Sequence, residues 1–198
     1  MKQPAVFLDR DGTINEQMGY INHPGRFVLL PNVARAVRLL NEHGVLAIVV
    51  SNQSGVARGY FPLALVHEVH DIMRKELASR GAVLDDVLFC PHHRQGTVPE
   101  YARACECRKP GTGMVDRARE RFDIDMTRSF VVGDRSSDVE LACRCGLRAV
   151  LVETGYGRGE MRYVLPGKAH QPAHVAQDLE AAVQWILNHA GVLDPQGS

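Results

Sequence analysis

The sequence predicts an α/β fold built on a mostly parallel sheet, and three observations carry that prediction. Apolar runs of strand length alternate with stretches whose apolar residues recur at helical spacing. Glycines (Gly44, Gly81 and Gly146) stand where each of three such helices should stop. The polar residues of the apolar runs gather at their carboxyl ends. Strands joined through helices must run parallel.

The elements follow in order. AVFLD (5–9) reads as a strand. Residues 32–43 set Val33, Val37 and Leu40 on one helical face. VLAIVVSN (45–52) is a second strand. The helix over 62–80 starts at Pro62, a favoured first helical position, and carries Val66, Val69, Met73 and Leu77. VLFC (87–90) is a third strand, followed by an irregular, apolar-poor segment from 91 to 113. A helix over 113–122, a strand over 129–134 and a helix over 136–145 come next. RAVLVET (148–154) is the last clear strand, 155–173 reads as a surface loop, and 177–190 as an amphipathic helix in which Trp185 packs onto the sheet. The tail from 191 to 198 reads as frayed. The whole chain, 1–198, is expected to be one domain, with no internal repeat.

Composition narrows the function classes. Apolar residues make up 45%, ordinary for a globular protein, and 23 basic residues match 23 acidic ones. No global field draws the chain to nucleic acid or to a membrane surface. No apolar run reaches the ~20 residues of a membrane span, and the N-terminus lacks signal-peptide form. The expectation is a cytoplasmic monomer that binds neither nucleic acid nor membrane. Five cysteines, an odd number without a secretion signal, argue against a disulfide framework and for metal ligation or packing.

The chemistry concentrates at the strand ends. Asp9 closes the first strand with Asp11 two residues on, Ser51 and Asn52 close the second, and Asp134 closes the fourth. Ligands of open parallel sheets bind at this edge. Carboxylates brought so close need a cation, and an oxygen-rich set suits magnesium. An aspartate can also attack phosphorus, while a second carboxyl protonates the leaving alkoxide and then activates water. Ser51 can donate to a phosphoryl oxygen and Lys109 can supply positive charge.

FLDRDGT, VVSNQSG, RKPGTG and VVGDRSSD, in that order, resemble the four motifs of the haloacid-dehalogenase-like phosphatases. The resemblance spans residues 7–138 and implies a Rossmann-like three-layer sandwich. It makes Asp9 the nucleophile and a magnesium ligand, and Asp11 the general acid/base that lends its backbone carbonyl to the metal. Ser51 and Lys109 hold the phosphoryl group, Asp134 completes the metal site, and Asp138 stands behind it.

The segment CPHHRQGTVPEYARACEC places Cys90 and His92 twelve residues before Cys105 and Cys107. Two ligand pairs split by a loop fit a closed, structural Cys3His zinc site over about 90–110, with His93 as an alternative to His92. Such a zinc would fix Arg108 and Lys109 beside the substrate. Cys143 and Cys145, near a helix end, read as packing residues.

Only short loops fit between the motifs, so no large cap domain is expected, and without one hydrolysis is favoured over a mutase reaction. By resemblance, the capless zinc-loop subgroup holds two activities. One removes the 7-phosphate of D-glycero-D-manno-heptose 1,7-bisphosphate on the way to lipopolysaccharide heptose. The other hydrolyses histidinol phosphate. GYINHPGRF (19–27), NQSGVARGYF (52–61) and the long cysteine segment resemble the heptose enzymes; histidinol enzymes usually carry Asp where Ser54 stands. The implied contacts to a small phosphorylated sugar are Gln17, Met18, Gly19, Tyr20, Ser51, Asn52, Gln53, Ser54, Arg108, Lys109 and Arg135, the last standing where some members carry Lys. A catalytically silent, zinc-stabilised binding module is the reading from another class. The intact catalytic positions oppose it.

Overall fold

Alternation within the apolar runs decides the architecture. In β1 (Ala5–Leu8), Val6 and Leu8 point into one core while Ala5 and Phe7 point into the other. β2 (Leu46–Asn52) repeats the split, with Ala47 and Val49 opposed to Leu46, Ile48 and Val50. Strands apolar on both faces need cover on both sides. α1 (Val33–Glu42), α2 (Leu63–Ala78) and α6 (Leu179–His189) cover the first face. α3 (Gly113–Arg121) and α4 (Ser136–Arg144) cover the second. The result is a three-layer, Rossmann-like sandwich in a computed structural model that describes residues 2–189. The tail read as frayed, 191–198, lies outside the described residues.

The remaining strands are β3 (Asp86–Cys90), β4 (Phe130–Gly133), β5 (Arg148–Val152) and β6 (His174–Ala176). The sheet order is β3-β2-β1-β4-β5-β6, and every pair is parallel. The winding reverses between β1 and β4, so the carboxyl ends of these two central strands open a crevice. Asp9 and Asp134 stand immediately after them. No cap is inserted; between β1 and α1 lies only a short 3-10 turn, Pro24–Arg26. Among the described residues no helix is long and apolar enough to cross a membrane.

Four readings need correction. α2 starts at Leu63, because Pro62 is extended (ψ 157°) and precedes the helix. The 155–173 segment lies at the surface, but it is not a plain loop. It holds a single turn, α5 (Gly157–Gly159), a wide turn Glu160–Val164 and a 3-10 turn Leu165–Gly167, with Leu165 buried as an anchor. β6 was not anticipated, since three residues containing a histidine carry no strand periodicity; it exists by pairing with β5. Cys145 packs as expected, but Cys143 is exposed, its Sγ 3.1 Å from His170 Nδ1.

Trp185 meets Phe130 edge-on at 6.1 Å and stacks between His174 and His189. It is the only tryptophan, so its emission reports α6 docking. Ile186, one residue on, is 1% exposed. Ile186→Ala should lose roughly 2–4 kcal/mol of stability by cavity formation, measured by urea unfolding followed at Trp185. A change below about 0.5 kcal/mol, the usual surface range, would mean that α6 contributes little to the core.

Candidate active site

The first strand end is built around carboxylates that repel one another. Asp9 Oδ1 accepts from the Arg10 backbone N–H at 2.7 Å and pairs with Lys109 Nζ at 2.8 Å. Lys109, 4% exposed, also lies 2.7 Å from Asp138 Oδ1. Asp138 Oδ2 accepts from the Arg135 backbone N–H at 3.1 Å, while its Oδ1 meets Lys109 as an ion pair without hydrogen-bond geometry. The Asp138 carboxylate therefore stands beside Asp9 and Asp134 and holds the lysine.

Asp134 is fully buried. Its Oδ2 accepts from the Tyr156 N–H at 2.8 Å, whereas its Oδ1 is buried without a partner. Gly12 and Gly155 make this possible. Both have positive φ (88° and 56°), and a Cβ on either would collide with the Asp134 carboxylate. Thr154 Oγ1 donates to Gly12 O at 2.6 Å and ties the two turns together.

Oxygens of Asp9, Asp134 and Asp138 all lie within 4.8 Å of one another. Burial, with Asp138 and Asp11 adding repulsion, pushes Asp9 up to about 6 against the pull of Lys109. Burial and the neighbouring Asp9 push Asp134 up to about 8. Burial would lower Lys109, but Asp138 and Asp9 outweigh it and raise the ammonium above its ordinary value. An orphaned carboxylate oxygen beside a second strained carboxylate fits a hard divalent cation. The magnesium that the motifs imply would be held here by Asp9 and Asp134.

The Asp11 side chain lies outside this cluster. Arg10, buried at 2% exposure, grips both Asp11 oxygens through Nη2 at 2.8 Å. Asn15 donates at 3.0 Å and Gln53 at 2.8 Å. Burial alone would raise Asp11, but Arg10, Asn15 and Gln53 hold it below the ordinary carboxylate value. Arg10 Nη1 lies 3.2 Å from His70 Nε2 on α2, and His70, pushed down to about 3 by burial and by Arg10, is a neutral ring.

A cavity of about 360 Å³ opens over these groups. Of the expected contacts, Gln17, Gly19, Tyr20, Asn52, Gln53, Ser54, Arg108, Lys109 and Arg135 line it. Two do not. Ser51, 1% exposed, lies beneath, its hydroxyl accepting from Gln53 Nε2 at 2.8 Å. Met18 turns the other way and packs against the core. Asn52 serves as a clamp, accepting from Lys109 N at 3.0 Å and donating to Lys109 O at 3.2 Å. Arg10, Arg58 and Ser137 also line the cavity and were not singled out from the sequence. The available signals were the position of Arg10 between two acids and the extra cation in NQSGVARGYF.

Beside Lys109, ligand atoms of Cys90, His92, Cys105 and Cys107 gather within 4.8 Å. His92 Nδ1 faces Cys107 Sγ at 3.5 Å and Cys90 Sγ at 3.7 Å; His93 points away, its Nε2 toward Arg58. The sulfurs of Cys90 and Cys107 lie in contact with each other. The donor set is that of a zinc site. Holding zinc needs both sulfurs as thiolates, and it needs Arg103, now 2.9 Å from His92 Nε2, to yield to an N–H on that nitrogen. Arg103 is exposed and can move.

A family model described as HAD-hydrolase-like matches residues 106–182. The chain is 45% identical over 196 residues to the D-glycero-D-manno-heptose-1,7-bisphosphate 7-phosphatase of Thermosynechococcus vestitus, covering 96% of this chain and 98% of that relative. This chain belongs to the haloacid-dehalogenase-like phosphatases. Within that family, the D-glycero-beta-D-manno-heptose-1,7-bisphosphate 7-phosphatase of Escherichia coli K12 is 39% identical, with 93% of this chain and 88% of the relative covered. A crystal structure of D,D-heptose 1,7-bisphosphate phosphatase from B. bronchiseptica, complexed with magnesium and phosphate, superposes with a TM-score of 0.83. It is 31% identical and covers 94% of this chain and 99% of that one.

With Asp9 and Asp134 both raised, protons compete with the cation at low pH and leave as pH rises through about 6 and about 8. Calorimetric titration of metal-free protein with magnesium chloride should therefore show tighter binding and proton release as pH increases across that window. An affinity independent of pH, with no proton released, would contradict it.

Proposed function

We propose that this phosphatase removes the 7-phosphate of D-glycero-D-manno-heptose 1,7-bisphosphate. The observation that carries the reading is a cavity with carboxylates on its floor and arginines, Arg108 and Arg135, on its walls. A cationic wall beyond the reacting centre suits a substrate with a second anion. The similarity to the heptose-bisphosphate phosphatases supports the same substrate.

The residues divide the chemistry. Lys109 and the Arg10 N–H hold one Asp9 oxygen, fixing the carboxylate for in-line attack on phosphorus. The P–O bond to the sugar breaks as the Asp9–phosphorus bond forms, and the leaving alkoxide takes a proton from Asp11, which must first be protonated against the pull of Arg10, Asn15 and Gln53. Asp11, ionised again, accepts a proton from water, whose oxygen attacks the aspartyl-phosphate and frees inorganic phosphate and Asp9. Arg10 stabilises the ionised Asp11 of the second step. Gln53 joins Asp11 to Ser51 and aligns the two. Bound magnesium, held by Asp9, Asp134 and the Asp11 carbonyl, would supply positive charge for the phosphoryl oxygens.

Zinc on Cys90, His92, Cys105 and Cys107 is the structural companion of this reading. It would fix the backbone leading into Arg108 and Lys109. The product, a heptose 1-phosphate, would feed nucleotide-heptose and lipopolysaccharide core synthesis. A doubly phosphorylated sugar does not cross a bilayer unaided, which supports the cytoplasm as the compartment.

The test is phosphate release with magnesium from heptose 1,7-bisphosphate and from histidinol phosphate. A kcat/KM preference for the bisphosphate is expected, and a preference for histidinol phosphate would overturn the substrate. Asp9→Asn should abolish turnover while the circular dichroism spectrum stays native; appreciable residual turnover would remove Asp9 as nucleophile. Metal analysis of reduced, unchelated protein should find about one zinc per chain, and Cys107→Ser should lose it.

A further inference from the structure

The geometry points to Arg58 as a specificity-determining residue that, opposite Arg108, binds the non-reacting anion of the substrate. The inference rests on the bisphosphate reading and adds a residue which that reading does not use.

Four arginines line the cavity, and they differ in how their charge is met. Arg10 is paired with Asp11. Arg135 lies over the Tyr156 ring at 4.2 Å. Among the described residues, Arg58 and Arg108 make no ion pair. Both are half-buried, and Nε of Arg58 and Nη1 of Arg108 are buried without a hydrogen-bond acceptor. Burial and then the charge of Arg58 push the Arg108 guanidinium down, so the two side chains repel within one cavity. Two half-desolvated like charges and two orphaned donors are costly unless an anion enters between them.

The neighbouring imidazole does not meet this need. Arg58 Nη2 lies 3.1 Å from His93 Nε2, but the Gln95 N–H points at His93 Nδ1, also at 3.1 Å. A neutral imidazole has one acceptor nitrogen for these two donors. Arg58 is also not a loose surface side chain. Its N–H donates to Ser54 O at 3.0 Å, and its carbonyl accepts from Thr97 Oγ1 at 3.0 Å. Ala57 O accepts from Thr97 N at 2.7 Å and Val98 N at 2.9 Å. The turn carrying Arg58 is thus docked on the segment that carries Arg108. A planar fork on each side suits a phosphate monoester, which offers three acceptor oxygens. The reacting phosphate is already assigned to Asp9 and Lys109, so the anion met by Arg58 is the remote one.

The experiment compares the wild type, Arg58→Gln and Arg58→Lys on D-glycero-D-manno-heptose 1,7-bisphosphate and on the corresponding 7-phosphate, with thermal melts of each protein. Charge-assisted hydrogen bonds lost from a bound phosphate correspond to roughly a 10- to 100-fold loss. Arg58→Gln should lose that much kcat/KM on the bisphosphate, chiefly through KM, and at least about tenfold less on the monophosphate. Arg58→Lys, a point charge without the fork, should fall between. Equal losses on the two substrates, or no loss on either, would overturn the role of Arg58 while leaving the bisphosphate reading intact. If the wild type does not hydrolyse the bisphosphate, the underlying reading falls and this one with it. Should Arg58→Gln melt far below the wild type, the ratio of the two substrates with Arg58→Lys decides the question.

Discussion

Three buried carboxylates crowd the carboxyl edge of the sheet with one buried lysine among them, and most of the surrounding structure serves that imbalance. Lys109 meets Asp9 and Asp138 but not Asp134, whose Oδ1 is left without a partner. A buried negative charge in excess of the positive is unstable by itself, so the site takes up a proton or a cation. The raised values of Asp9 and Asp134 express this demand. Asp11 is spared because Arg10 neutralises it. Burial and repulsion thus favour the protonated form of Asp9 while Arg10 keeps Asp11 ionised, and a cation held by Asp9 and Asp134 would displace that proton.

Backbone rather than side chains brings the imbalance together. Hydrogen bonding of β1 to β4 sets Asp9 and Asp134 side by side, with Asp9 N–H donating to Val132 O at 2.8 Å. Gly12 and Gly155 let two turns close against the Asp134 carboxylate. Asn52 clamps the Lys109 peptide from the neighbouring strand. The cysteine and histidine cluster anchors the same segment from the other side. Lys109 is therefore located by β2 and by the loop at once, and its ammonium needs no adjustment to reach Asp9.

The parts legible in the sequence are those that local pattern determines. Strand ends follow from apolar runs, so Asp9, Ser51 and Asp134 could be placed on one edge before any contact was known. The spacing of Cys90, His92, Cys105 and Cys107 marked a cluster that the fold assembles. What escaped depends on tertiary direction. Met18 and Gln17 are adjacent, yet only Gln17 faces the cavity, because the local turn has no periodicity to read. Ser51 lies beneath the cavity because Gln53 folds back over it. The grip of Arg10 on Asp11 looks in sequence like a charged residue in a turn. β6 has too few residues for a pattern and is defined by its partner.

The parallel order of the strands also governs when the site comes into being. β1 is made first, but its neighbour β4 follows more than 120 residues later, and Ala5 N donates to Ser129 Oγ across a separation of 124 residues. During synthesis Asp9 therefore waits beside β2, with its other flank open, until the chain has passed residue 134. Pairings of such long range are slow to form, since loop closure precedes their reward. The cation site exists only once β1 and β4 have joined. A divalent cation held by Asp9 and Asp134 would therefore bind the finished sheet and not its precursors, and would stabilise the folded chain by its own binding free energy.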